Sequence, residues 1–175
     1  MKQVWMGLLT AGAVLTVGQL YAQSYKPVSL GIAAGAAIPV GDLSDNWNTG
    51  FNGTAGIGLS LVGTPIGLRF EGMYNKFFGR DDVGNPPDLR VIGGTANLMY
   101  SLPGQGIRPY LIGGGGYYGV KREDLESENK FGLNGGIGAL FPLSGFNTYV
   151  EARFHHVFTE GKSAQFIPVT FGILF

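Results

Sequence analysis

The sequence has no cysteine, almost no histidine and little charge. The absence of cysteine excludes disulfides, thiol catalysis and thiolate metal sites. The two histidines are adjacent, at His155 and His156, and leave little basis for a multi-histidine metal centre. Charged residues make up 14% of the chain, and the 12 basic residues balance the 12 acidic ones. We therefore expect no cofactor and no nucleic-acid partner.

An apolar stretch long enough to span a bilayer as a helix is also missing after residue 22. Residues 1–22 begin with a positive charge at Lys2 and continue through an apolar run, Val4 to Val17. They end with a small residue, Ala22, which is the pattern of a secretory signal peptide. We expect cleavage after Ala22 and a mature domain of residues 23–175. An uncleaved anchor is the alternative, although the run is short for a spanning helix of about 20 residues.

Glycine and aromatic residues, in contrast, are abundant. The chain contains 31 glycines, and 13% of its residues are aromatic, which favours a folded protein over a disordered one. Runs of alternating apolar and polar or small residues recur, each near the ~9–11 residues of a tilted membrane strand. There are eight such runs: Val28–Ile38, Phe51–Leu61, Ile66–Phe78, Arg90–Leu102, Ile107–Val120, Phe131–Phe141, Thr148–Phe158 and Gln165–Phe175.

The alternation predicts which side of each strand faces an apolar environment. In the last run the apolar face carries Ile167, Val169, Phe171, Ile173 and Phe175. In the fifth run the glycines at 113–116 remove the contrast, and we expect the outward set to be Tyr110, Ile112, Tyr118 and Val120. Small residues dominate most opposite faces, which suits the narrow interior of a small barrel.

The connections between the runs alternate in length. Those at 62–65, 103–106 and 142–147 are short, whereas those at 41–50, 79–88, 121–130 and 159–164 are longer and polar. Short periplasmic turns and longer extracellular loops are typical of outer-membrane barrels. The sequence therefore predicts an all-β fold: an eight-stranded antiparallel transmembrane up-and-down β-barrel in a bacterial outer membrane, preceded by a cleavable signal peptide.

Aromatic residues near the strand ends predict two girdles at the membrane interfaces. The periplasmic girdle is expected to contain Tyr100, Tyr110, Phe141 and Phe175. The outer girdle is expected to contain Phe51, Tyr74, Phe78, Tyr118, Phe131 and Phe158.

Four segments carry a family resemblance: RPYLIGGGGYYGV (108–120), FGLNGGIGALF (131–141), YVEARFHHVF (149–158) and FIPVTFGILF (166–175). Together they resemble the outer-membrane β-barrel domain family related to the small OmpA/OmpX-type barrels. The resemblance implies that outer-membrane lipids and lipopolysaccharide surround the protein. It also implies that the barrel-assembly machinery reads the terminal strand, with Phe175, Ile173 and Phe171 as the signal.

Four charged side chains lie on the inward faces of the third and seventh strands. Arg69 and Glu151 lie at one height above the short turns, and Glu71 and Arg153 each lie two residues higher. These two strands stand opposite each other in an eight-stranded ring. We predict that Arg69 pairs with Glu151 and Glu71 with Arg153, because an isolated buried charge is costly. This network is interpreted as a plug, and a gate that opens a small pore is the alternative.

Several functions are compatible with such a barrel. We expect a monomeric, non-enzymatic protein with a structural or surface-interaction role, whose loops contact lipid, lipopolysaccharide or another surface partner. The alternatives are a narrow porin-like channel for small solutes and, third, a lipid A-modifying enzyme. A soluble lipocalin-like carrier would hold apolar residues inside, which the inward charges oppose.

The enzyme alternative depends on a loose set of residues. His155 is expected to point inward and His156 outward near the outer rim, with Ser163 and Glu160 in the following loop. A serine hydrolase needs a histidine beside its serine. The outer-membrane deacylases have a serine two residues after the histidine, and this chain has none there.

The loops offer few other candidates for binding. The segment KREDLESENK (121–130) is interpreted as a solvated loop, with contact to lipopolysaccharide phosphates or divalent cations as the alternative. Trp47 is expected to be a packed anchor, although a contact point for a surface partner stays open. The carboxylates are scattered, at Asp42, Asp45, Asp81 and Asp82.

Overall fold

A computed structural model of the protein describes residues 27–84, 86–104, 106–122, 128–159 and 163–175. In this part of the chain eight antiparallel strands form one closed barrel, each paired with its neighbours in sequence. The strands are β1 (Val28–Val40), β2 (Trp47–Ser60), β3 (Ile66–Gly79), β4 (Leu89–Ser101), β5 (Arg108–Arg122), β6 (Glu128–Pro142), β7 (Asn147–Val157) and β8 (Ala164–Leu174). The predicted barrel is confirmed, while the predicted signal peptide, residues 1–22, lies outside the described residues.

The terminal strand closes the ring by pairing with the first. The register of β8 on β1 runs from Leu174 opposite Gly31 to Gln165 opposite Val40. Phe175 extends this pairing, because its backbone N–H donates to the carbonyl of Leu30 at 2.9 Å. The apolar last strand therefore has no unpaired edge that could template aggregation.

The outer surface carries a continuous apolar belt. Large side chains point outward from every strand and are well exposed, for example Leu30, Ile92, Ile137 and Phe171, with 63% of Ile137 accessible. Water-soluble proteins rarely expose such an area, whereas a lipid-facing barrel surface requires it. The predicted inward and outward faces agree with the structure on all strands except β5.

On β5 the predicted faces are reversed. Tyr110, Ile112 and Tyr118 are buried inside the barrel, Val120 packs against the buried core, and Leu111 and Tyr117 point outward. The central residues of the strand are glycines, so polarity does not alternate there and the sequence does not show which side faces inward. The inward tyrosines occupy space that glycines on neighbouring strands leave open: a Cβ added at position 138 would clash with the Tyr110 ring. Tyr110 and Tyr118 therefore do not belong to the aromatic girdles.

Two of the predicted long loops are strand over several residues. Strand β2 already begins at Trp47, and strands β5 and β6 extend to Arg122 and from Glu128. The remaining connections at one end of the barrel are 41–46, 80–88, 123–127 and 158–163, which we call the loop rim. The other end, with 61–65, 102–107 and 143–146, is called the short-turn rim.

Two short 3-10 helices, Gly41–Asp45 and Asp81–Val83, lie at the loop rim. No helix in the described ranges is long and apolar enough to cross a membrane.

Candidate functional site

The barrel interior is divided into three levels along its axis. A cavity of about 420 Å³ opens at the short-turn rim, and Arg69 and Tyr110 lie at its inner end. A ring of ion pairs, the ionic layer, occupies the middle of the barrel. Between this ring and the loop rim, apolar side chains make up most of the packing and are called the apolar layer; the buried Asn52 and Asn75, hydrogen-bonded to each other at 2.7 Å, lie among them. Particular inward-facing residues form each of these three levels.

The ionic layer consists of Arg69 and Glu71 on β3 and Glu151 and Arg153 on β7. Each arginine contacts both carboxylates. Arg69 Nη2 contacts Glu151 Oε2, and Arg69 Nε lies 3.4 Å from Glu71 Oε1. The two nitrogens Nη1 and Nη2 of Arg153 each lie 2.6 Å from an oxygen of Glu71 or Glu151. Both pairs that the strand positions predict are present, within a closed ring of four.

Burial explains why the four residues occur together. Their side chains are between 2% and 6% exposed, so water does not compensate an isolated charge. Two arginines and two glutamates are neutral in sum, and a planar guanidinium can contact two carboxylates at once. Removing any one of them would leave an uncompensated charge in the interior.

Neighbouring polar groups complete the ionic layer. The Tyr110 hydroxyl donates to Glu151 Oε2 at 2.7 Å, and Asn97 Nδ2 donates to Glu71 Oε2 at 3.1 Å. The Arg69 guanidinium lies 5.5 Å from the ring centroid of Tyr149 and 5.6 Å from that of Tyr110. Sequence reasoning gave no role to Tyr149, although alternation on β7 places it on the same face as Glu151. A glycine at position 172 leaves room for its ring.

The apolar layer was not predicted. It is formed by inward side chains near the loop rim: Ala37, Leu43, Met73, Phe77, Leu89, Val91, Tyr118, Val157, Ala164 and Phe166. The rings of Phe77 and Phe166 lie 5.5 Å apart in an edge-to-face contact. Leu43 reaches the layer from the 3-10 helix Gly41–Asp45. At this end of β3 both faces carry apolar residues, so alternation of polarity cannot reveal the inner set.

His155 packs against the apolar layer. Its ring stacks on Phe166 with the centroids 4.9 Å apart, and its Nδ1 lies 3.0 Å from the Tyr118 hydroxyl. His156 points outward, and its Nδ1 lies 3.0 Å from Nε2 of Gln165. In the described part of the chain neither histidine hydrogen-bonds to a serine, and Glu160 lies outside that part.

Hydrogen bonds join the two loops 41–46 and 80–88 at the loop rim. The guanidinium of Arg80 bonds to Asp82, and its Nη1 donates to the carbonyl of Ser44 at 3.1 Å. Trp47 Nε1 donates to the carbonyl of Pro87 at 3.1 Å, and Trp47 packs on the apolar layer. These contacts support the interpretation of Trp47 as a packed anchor.

The described carboxylates of the loops Gly41–Asp45 and 80–88 do not converge on a metal site. Asp82 is bonded to Arg80, and Asp88 lies 2.7 Å from the Lys76 ammonium. Among the described residues, no group of three or more histidine, aspartate or glutamate side chains could hold a metal ion.

Comparison with known proteins identifies the fold. No protein-family model matches the chain. No curated protein matches it by sequence either.

Several solved structures share its architecture. Neisserial surface protein A has a TM-score of 0.63 at 16% identity, over 85% of this chain and 96% of that one. A major outer membrane protein from Thermus thermophilus has a TM-score of 0.54 at 13% identity, over 86% and 99%. The outer membrane enzyme PagL has a TM-score of 0.52 at 16% identity, over 83% and 97%.

These likenesses establish the fold of the small OmpA/OmpX-type barrels. An eight-stranded closed barrel with an outward apolar belt is an integral protein of a bacterial outer membrane. In barrels of this class the short turns face the periplasm and the longer loops face the cell exterior. The chain is thus an outer-membrane barrel protein, and the fold alone does not define its role.

Proposed function

We propose that this protein is a non-enzymatic component of the outer membrane, whose sealed barrel is structural and whose outer surface makes the functional contacts. One observation carries the proposal: two successive layers of different chemistry fill the lumen. The ionic layer joins β3 to β7 across the barrel axis. Above it, the apolar layer packs the interior toward the loop rim around the hydrogen-bonded pair Asn52 and Asn75.

The two layers oppose the passage of solutes in different ways. An ion that enters the apolar layer would lose its hydration shell among Phe77, Phe166 and Val91, which are fully buried. A solute that reaches the ionic layer from the periplasm meets guanidinium and carboxylate groups already bonded to each other. Opening either layer would require several large side chains to move aside together within a narrow barrel.

Conductance in planar lipid bilayers tests this proposal against the channel alternative. The mature chain, refolded in detergent, is expected to produce no unitary current steps. A large porin inserted under the same conditions serves as the positive control for the bilayer. Stable current steps from the unmodified protein would contradict the sealed barrel and favour the narrow channel.

The enzyme alternative needs a separate measurement. Mass spectrometry of lipid A from cells that express the protein is expected to show the same acylation pattern as cells without it. Loss or gain of an acyl chain would contradict the non-enzymatic role. In that case a His156→Ala variant would show whether the outward histidine takes part.

A further inference from the structure

Three cations lie side by side on the outer surface near the loop rim. Lys76 on β3 pairs in register with Arg90 on β4, and Arg90 pairs with Lys121 on β5. Residues directly opposite on neighbouring strands have Cβ atoms about 4.5–5.5 Å apart, and like charges in such positions repel. We call this set the cationic row. An anion lying against the row could contact all three cations at once.

The cationic row faces outward. All three residues occupy the face of their strands that also carries the exposed side chains Ile92 and Tyr117. The ammonium of Lys76 lies 5.4 Å from the ring centroid of Phe78, an exposed outer aromatic. The same ammonium bonds to Asp88 at 2.7 Å, so one carboxylate balances part of the charge. Long cationic side chains at this level can extend to the headgroup region.

The other side of the barrel differs in the charge of its outward side chains. At the outward positions nearest the loop rim, β6 carries Asn129, β7 carries His156 and β8 carries Gln165. None of these carries a fixed positive charge. The cationic row is therefore confined to β3–β5 and is not part of a uniform basic girdle.

An apolar groove lies below the cationic row on the same strands. It is a shallow depression with a volume of about 680 Å³ and is widely open to the lipid side. Its floor contains Ala55, Gly72 and Gly94, which are in register on β2, β3 and β4. Phe70, Tyr117 and Phe131 form its walls. Gly72 and Gly94 are each four residues from the cationic row, or about 13 Å along the strand.

We propose that this face binds a phosphorylated lipid of the outer leaflet, with the cationic row on its phosphates and one acyl chain in the groove. The chemistry corresponds to lipid A, the phosphorylated glycolipid anchor of lipopolysaccharide. Lysine and arginine are the residues that recognise phosphate. The row extends over three strands, which allows it to contact more than one phosphate.

This proposal deepens the surface role proposed above, and it can fail independently of that role. Conductance reports on the lumen, whereas lipid binding reports on the outer face. A silent barrel that does not bind lipid A would contradict only the present proposal.

Native mass spectrometry of the refolded full barrel, titrated with purified lipid A, measures the binding directly. The variant Arg90→Gln with Lys121→Gln removes two cations of the row and leaves the contact between Lys76 and Asp88 intact. Its affinity for lipid A is expected to fall roughly ten-fold or more, because charge-assisted hydrogen bonds are lost. The matched control, Arg80→Gln with Lys130→Gln, removes two cations near the loop rim outside the row and should change affinity less than about two-fold.

A second pair of variants tests the groove without changing charge. A Cβ at Gly94 or at Gly53 would meet nothing within 4 Å, so both positions tolerate a side chain. Gly94→Leu fills the groove and is expected to weaken lipid A binding, while Gly53→Leu, outside the groove, is expected to have no effect. Heat-dependent gel mobility verifies that each variant forms a barrel.

Three results would overturn the proposal. The first is wild-type affinity in both the Arg90→Gln/Lys121→Gln variant and the Gly94→Leu variant. The second is an equal loss of affinity in the control variants, which would indicate a general charge or surface effect. The third is equal affinity of the protein for phosphatidylglycerol and lipid A, which would remove the assignment to lipid A.

Discussion

The two layers of the lumen solve the same packing problem with opposite chemistry. The ionic layer depends on four particular groups, each of which contacts at least two others. The apolar layer depends mainly on volume, although the hydroxyl of Tyr118 within it lies 3.0 Å from Nδ1 of His155. The ionic layer should therefore tolerate few substitutions, whereas the apolar layer should tolerate any apolar residue of similar size. Three substitutions of decreasing effect test this difference.

The largest effect is expected in the ionic layer. Glu151→Gln keeps the shape of the side chain but leaves Arg69 and Arg153 with a single carboxylate, Glu71. The free energy of unfolding should fall by about 3–5 kcal/mol, the usual loss when one partner of a buried ion pair is removed. Urea unfolding in lipid vesicles, followed by Trp47 fluorescence, measures this loss.

A double variant separates charge from packing in the same experiment. Adding Arg69→Gln to Glu151→Gln restores neutrality, because Arg153 and Glu71 remain as a pair at 2.6 Å. The double variant should therefore be more stable than the sum of the two single losses predicts. Simple additivity would show that the ring does not act as a unit.

A smaller effect is expected in the apolar layer. Phe77→Leu keeps an apolar side chain of somewhat lower volume in a fully buried position. It should lower the free energy of unfolding by roughly 1 kcal/mol, and the same urea titration measures it. Phe77→Asn is the matched control, because it places an amide among apolar groups and should cost more. A loss for Phe77→Leu as large as that for Glu151→Gln would remove the distinction between the layers.

The sequence predicts the barrel and the ionic layer for the same reason. Alternation of polarity has a period of two, so Arg69, Glu71, Glu151 and Arg153 are assigned to the inside without knowledge of any contact. Their heights follow from counting residues from the short turns. The pairing across the lumen then follows from neutrality, and the structure contains it.

The apolar layer and the inward tyrosines could not be predicted in this way. Near the loop rim Phe77 and Phe78 are neighbours on opposite faces, and polarity does not distinguish the inner one from the outer one. On β5 the glycines erase the period, and Tyr110 faces inward because Glu151 accepts a hydrogen bond from its hydroxyl and the glycine at 138 leaves space. Both facts concern contacts between different strands. The alternation of residues along one strand does not reveal contacts with other strands.

The smallest effect is expected where the same ionic chemistry lies in water. Asp82 at the loop rim is bonded to Arg80, and it is fully exposed, unlike the glutamates of the ionic layer. The hydrogen bond from Arg80 lowers the pKa of Asp82 from its usual value of 3.8. Since the pKa is lowered on folding, any stability from this pair is present above the unfolded pKa and is lost as the pH falls through the folded pKa.

At neutral pH, Asp82→Asn should therefore leave the free energy of unfolding unchanged within error, because solvent screens an exposed pair. An NMR titration of the carboxyl carbons should show the lowered pKa of Asp82 and its return toward 3.8 in Arg80→Gln. Asp88 is the internal control, since its pKa is lowered mainly by the hydrogen bond from Lys76 and should not respond. If Asp82→Asn destabilised the barrel as strongly as Glu151→Gln, burial would not be what makes the ionic layer intolerant of substitution.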